Sequence, residues 1–163
     1  MSNKQNYGKI LRLVLSIAGC QTAGILGSIA TTPAINGWFQ TLQKPLFMPP
    51  GWVFGVVWTA LFVLMAIAFW LVWITDRKLK QKKTAMILFG VQLILNVFWS
   101  MIFFGFGAMF LAIIELIALF AVVLITTIYF FRQSKIAGYL MLPYLLWLCA
   151  AAYLNIAIYL LNA

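Results

Sequence analysis

Five stretches of the chain are almost wholly apolar: Leu13–Ala30, Val53–Ile74, Ala85–Phe104, Ala108–Phe131 and Ala137–Leu161. Each is long enough to cross a hydrocarbon core of about 30 Å at about 1.5 Å per helical residue. A backbone in that core must satisfy its own hydrogen bonds, so it is either helical or part of a closed barrel. The alternation of a barrel strand is missing. The expected fold is therefore an all-α membrane protein, a bundle of five transmembrane helices forming one domain over 1–163. A soluble core is excluded by composition. With 66% hydrophobic and 8% charged residues, too little polar surface exists to cover such a core.

The net charge is +9, but its distribution is not that of a nucleic-acid protein. The cations fall in short clusters between apolar runs, and no basic stripe with interleaved aromatics offers a groove for phosphates. With five spans, Lys4, Lys9 and Arg12, then Arg77, Lys78, Lys80, Lys82 and Lys83, then Arg132 and Lys135 all lie on one side. The other side carries Lys44 alone. The positive-inside rule then makes the N-terminus cytoplasmic and puts the C-terminus and first loop outside.

Two cysteines, Cys20 and Cys149, sit inside apolar runs with no metal-binding spacing, and both are expected to be small buried hydrophobes. Histidine is absent, which removes the usual haem and zinc ligand. Ile17-Ala18-Gly19-Cys20 has the form of a bacterial lipobox, but the apolar run continues to Ala30, so the segment reads as a span. In the same run Gly19, Ala23 and Gly27 recur every four residues. Small residues at that spacing suit a helix contact, either within the bundle or at a dimer face.

The connection 31–52 is longer than the other three. It holds Trp38, Phe39, Phe47 and Trp52, so it is expected to be an ordered lid over the bundle. Pro49 and Pro50 suit the first turn of the second helix, and Lys44 is placed to face water or an anionic ligand group.

Three helices carry one-sided stripes. Phe54, Trp58, Phe62, Met65 and Phe69 share one face of the second; Gln92, Asn96, Trp99 and Phe103 share one of the third. Tyr144, Trp147, Ala151 and Asn155 share one of the fifth. Amides at membrane depth must face the interior, where they find partners. Together these stripes describe a cavity of indoles and phenyls with a few amides, suited to a flat, mostly apolar ligand. Glu115 is the only acid within a span. It is a functional candidate, or it ties the fourth helix to a neighbour by a hydrogen bond.

The order and spacing of Trp38-Phe39, Leu42-x-Lys44-Pro45, Pro49-Pro50-x-Trp52, Trp58, Asn96-x-x-Trp99-Ser100 and Leu142-Pro143-Tyr144-x-x-Trp147 through Asn155 resemble the translocator protein family. That family is also called the tryptophan-rich sensory protein or peripheral-type benzodiazepine receptor family. The resemblance covers nearly the whole chain. It implies a five-helix protein, usually a homodimer, in a bacterial cell membrane or an organelle membrane, with a pocket under the first loop. It implies binding of porphyrins such as protoporphyrin IX, and of isoquinoline carboxamide and benzodiazepine-type compounds, with no cofactor required.

On the same resemblance, Phe39, Pro49, Trp58, Phe62, Asn96, Trp99, Tyr144, Trp147 and Ala151 match pocket positions; Phe54, by its place in the stripe of the second helix, and Glu115, as the lone acid within a span, are further candidates. Trp58 and Trp147 look like the two tryptophans tied to light-dependent porphyrin degradation, an enzymatic alternative to a receptor. Phe39 stands where the family often has tyrosine, and Phe47 where it often has tryptophan. After Tyr153 the basic residue of the family's sterol pattern is missing, so strong sterol binding is not expected. A transporter is the least supported reading, since the chain shows no inverted repeat and no broken mid-membrane helix.

Overall fold

A computed structural model describes residues 3–76 and 79–163, and these form five long helices. They are α1 (Asn3–Asn36), α2 (Gly51–Ile74), α3 (Leu79–Ser100), α4 (Met109–Gln133) and α5 (Lys135–Asn162). All five are long and apolar enough to span a membrane. Among the described residues there is no strand. The outside of the bundle is hydrocarbon. Ile29, Ile87, Ile94, Ile117, Leu146 and Leu160 are all more than half exposed, which water would not tolerate over such an area but lipid favours. The chain is an integral membrane protein. Of the basic residues, Arg77 and Lys78 lie outside the described residues.

The helices overrun the apolar stretches. α1 continues across Pro33 to Asn36, so the first connection is 37–50 rather than 31–52. Part of it is itself coiled, a short 3₁₀ turn over Trp38–Thr41. α3 starts at Leu79, ahead of its apolar stretch, because Lys80, Lys82 and Lys83 are good helix formers that project beyond the hydrocarbon. Lys82 Nζ donates to the Thr75 carbonyl at 2.7 Å, covering an open C-terminal acceptor of α2. Pro49 and Pro50 precede α2 instead of entering it. Pro50 is its N-cap with extended ψ 147°, and Pro49 is held extended by the ring that follows it.

The turns are equally specific. α3 ends in a π turn over Met101–Gly105, and Gly107, at φ +63°, makes the reversal into α4. The left-handed backbone there favours glycine, and the Trp38 ring packs against it. Ser134 alone joins α4 to α5, and its hydroxyl accepts from the Ala137 N–H. Helix α5 crosses so close to α4 at that point that a Cβ on Gly138 would overlap the Phe131 ring.

The core is one continuous cluster. At the basic end it is an aromatic ladder, Phe69 stacked on Phe89 at 4.7 Å and Phe89 on Phe130 at 5.7 Å. The small-residue stripe of α1 divides. Ala23 and Gly27 are buried, while Gly19 is exposed with nothing in reach of a Cβ. The close approaches are Gly24 to Phe62 and Gly27 to Ser100. Of the two cysteines only Cys20 is buried. Cys149 is exposed, because its neighbour Leu148 takes the inward position on α5. Replacing Gly138 with valine is expected to destabilise the bundle by about 2 kcal/mol or more through overpacking against Phe131. Gly90→Ala, where a methyl meets open space, is the neutral control. Thermal unfolding in detergent checks both.

Candidate functional site: an aromatic cavity under the first connection

The helices part at one end to leave a cavity of about 850 Å³. Its roof is the first connection, with Phe39, Gln40, Lys44, Met48, Pro49 and Pro50. Phe54, Trp58 and Phe62 of α2 form one wall, Asn96, Trp99 and Phe103 of α3 and its π turn another. Trp147, Ala151, Leu154, Asn155 and Ile158 of α5 close the third side. α1 supplies Gln21, Gly24, Ile25, Gly27, Ser28 and Thr31.

The aromatic lining is one contact network. Trp58 lies 5.7 Å from Phe62, 6.5 Å from Trp99 and 6.4 Å from Trp147, the last edge-to-face at 88°. Trp99 stacks on Phe103 at 5.7 Å and 14°. Trp147 meets Phe54 edge-on at 5.9 Å. These rings fix one another, because offset and edge-to-face arrangements align the positive edge of one with the negative face of the next.

Polar groups pin the walls. The Trp99 indole N–H donates to Asn155 Oδ1 at 3.3 Å, and Asn155 Nδ2 donates to the Met109 carbonyl at 3.1 Å. Asn96 Nδ2 donates to the Tyr144 hydroxyl oxygen at 2.9 Å. The roof is pinned as well. Asn162, at the end of α5, accepts from the Gln43 N–H and donates to the Gln43 carbonyl, both at 2.9 Å. Trp38 donates its indole N–H to the Phe104 carbonyl at 3.1 Å. Lys44 rests its ammonium 5.2 Å above the Phe39 ring, and Phe39 is itself buried against Trp38, Phe103 and Phe104.

Of the residues singled out in the sequence, Phe39, Pro49, Phe54, Trp58, Phe62, Asn96, Trp99, Trp147 and Ala151 line the cavity. Tyr144 does not. It is buried behind the wall, 6.1 Å from Trp58, and orients Asn96. Glu115 is also absent from the lining, because it lies on α4, which contributes nothing to the cavity. Its two carboxyl oxygens are buried without a hydrogen-bond partner, so the expected tie to a neighbouring helix is not made.

Sequence reading missed the contribution of α1 and the clasp of Asn162. The glycines and hydroxyls of α1 were visible as a small-residue stripe, but nothing marked them as a cavity wall. Asn162 stands 119 residues from its partner, and only its place as the last amide of an apolar run signalled it.

Five helices long and apolar enough to span a membrane, an aromatic-walled cavity and a hydrogen-bonded lid define a helical membrane protein with an internal cavity. The chain belongs to the TspO/MBR family, whose model matches residues 16–161. It is 39% identical to the tryptophan-rich protein TspO of Archaeoglobus fulgidus, over 94% of this chain and 99% of that one. Identity to the tryptophan-rich protein TspO of Chlorobaculum tepidum is 38%, covering 98% and 99%. The human translocator protein is 33% identical over 86% of each chain.

Gly24 sets the position of Phe62, since a Cβ there would sit 2.8 Å from the ring. Gly24→Ala is expected to push the ring into the cavity and weaken a cavity ligand by about fivefold, the equivalent of about 1 kcal/mol. Binding isotherms for parent and variant check this.

Proposed function

We propose that this protein is a membrane receptor or sensor that holds a tetrapyrrole, of which protoporphyrin IX is the model, in the cavity beneath its first connection. The observation that carries the reading is the wall of three indoles, Trp58, Trp99 and Trp147, in a pocket of about 850 Å³. Flat apolar rings gain most from aromatic faces, and a pocket of that volume accommodates a large planar ligand. The same lining suits isoquinoline carboxamide and benzodiazepine-type compounds. The reading requires no cofactor and no nucleic acid, and it includes a homodimer in a bacterial cell membrane with the basic end cytoplasmic.

The polar lining supports one orientation. Asn155 spends both its amide groups on protein partners, and Asn96 spends its N–H on Tyr144. Among the residues that line the cavity, Lys44 is the one cation. Its contact with Phe39 is worth about 0.5–1 kcal/mol, whereas a charge-assisted hydrogen bond to a carboxylate is worth about 1.5–3 kcal/mol. A carboxylate therefore displaces the ring as the partner of Lys44. The macrocycle lies against the indoles with its acidic edge at the lid.

Titration of the Soret band in nanodiscs tests both parts. Protoporphyrin IX is expected to bind about tenfold more tightly than its dimethyl ester, the equivalent of about 1.4 kcal/mol. Lys44→Gln is expected to erase that difference. Equal affinities of acid and ester in the parent would remove the assigned orientation, and failure of both to saturate would remove the tetrapyrrole.

A second reading is a light-dependent porphyrin-degrading enzyme. It is favoured by the edge contact of Trp58 with Trp147 inside the cavity. An indole that gives one electron to a photoexcited ring leaves an indole radical cation and a porphyrin radical anion. Trp147→Phe is then expected to keep most of the affinity while slowing light-driven loss of the porphyrin spectrum. Equal decay in parent, variant and protein-free micelles would sink this reading.

A further inference from the structure

The cavity reaches the outside of the bundle through its flank. Ten of its lining residues are exposed: Asn36, Gln40, Lys44 and Pro50 lie at the fastened roof, and the other six, Ile25, Ser28 and Thr32 on α1 and Gly51, Gly55 and Thr59 on α2, lie along the flank. On the other side the lining of α3, its π turn and α5 holds no exposed residue. The opening is bounded above and below. Toward the bilayer centre, Gln21 Nε2 reaches the Thr59 carbonyl at 3.5 Å and Gly24 lies against Phe62. Toward the lid, Ile35 packs over Gly51. Between those contacts the two helices present mainly small side chains, and Gly55 has nothing within 4 Å of where a Cβ would be.

The rim is built for contact with hydrocarbon. Ser28 Oγ donates to the Ile25 carbonyl at 2.7 Å and Thr59 Oγ1 to the Gly55 carbonyl at 2.8 Å. These two hydroxyl protons are used on their own helices, so neither Ser28 nor Thr59 presents an unsatisfied donor to lipid. A flat apolar ring passes such an edge without stripping water from it. The lid, by contrast, is fastened across the cavity mouth by the paired bonds between Asn162 and Gln43.

We infer that the cavity is loaded sideways from the bilayer through this window between α1 and α2, by flat amphipathic molecules already dissolved in the membrane. The lid then serves as a fixed roof. This rests on the membrane-spanning fold and the cavity, and not on the tetrapyrrole as ligand.

The test uses a label in place of a ligand. In a Cys20→Ala, Cys149→Ala background, Ala151→Cys puts one thiol on the cavity wall. Its reaction with N-pyrenyl maleimide, which partitions into bilayers, is timed in proteoliposomes. Gly55→Phe and Ser28→Phe, each plugging the window from a different helix, are expected to slow labelling about tenfold, as closing a gate does. Asn162→Ala, which unfastens the lid, is expected to leave the rate within about twofold. Thermal midpoints confirm that each variant is folded, and two plugs on separate helices guard against the loss of one. Labelling that accelerates in Asn162→Ala while both plugs react at the parent rate would overturn the inference. So would equal rates in all four proteins.

Discussion

A polar side chain inside a bilayer has to find its partner within the protein, and one carboxamide in this bundle organises three helices by doing so. Asn155 of α5 accepts a hydrogen bond from the Trp99 indole N–H of α3 and donates one to the Met109 carbonyl at the start of α4. Leaving either group unpaired in hydrocarbon costs several kcal/mol. That penalty fixes the separation of α3 and α5, and with it the face that Trp99 turns to Trp58. The Asn96–Tyr144 bond repeats the same tie deeper in the bundle. Between them the two amides hold an aromatic wall apart from its neighbours, so that a cavity persists where collapse would otherwise bury more apolar surface.

Against this rigid side stands a lean one. α1 meets the cavity with glycine, serine and threonine, and its nearest approaches rely on missing side chains at Gly24 and Gly27. The same lack of bulk that lets α1 pack also leaves the flank open beside α2. Packing and access are therefore two results of one sequence choice. The roof follows different physics again. Its order comes from side-chain hydrogen bonds to backbone at Gln43 and Phe104 and from a buried cluster around Phe39.

Much of this was legible in the residues. Five apolar runs determine five spans because lipid leaves the backbone no other solution. The amides at 92, 96 and 155 point inward for the same reason, and eight of the named aromatic, proline and small positions meet Asn96 in one cavity. Helix ends were less legible. The first apolar run ends at Ala30, yet α1 stays coiled across Pro33 to Asn36. Cys149 reads as buried because composition cannot distinguish a lipid-facing position from a packed one. Glu115 reads as a site because a lone membrane carboxylate is costly, but its helix supplies no residue to the cavity lining. The Asn162 clasp joins groups that only the folded chain brings together.

The central claim, that the indole-walled cavity is a specific binding site, is tested most directly in the dark. Protoporphyrin IX is titrated into the parent protein and into Trp58→Ala, and tryptophan emission is followed. Saturable quenching at micromolar porphyrin or below, weakened by Trp58→Ala, is the expected result. Quenching that rises linearly, in step with porphyrin partition into protein-free nanodiscs, would contradict it.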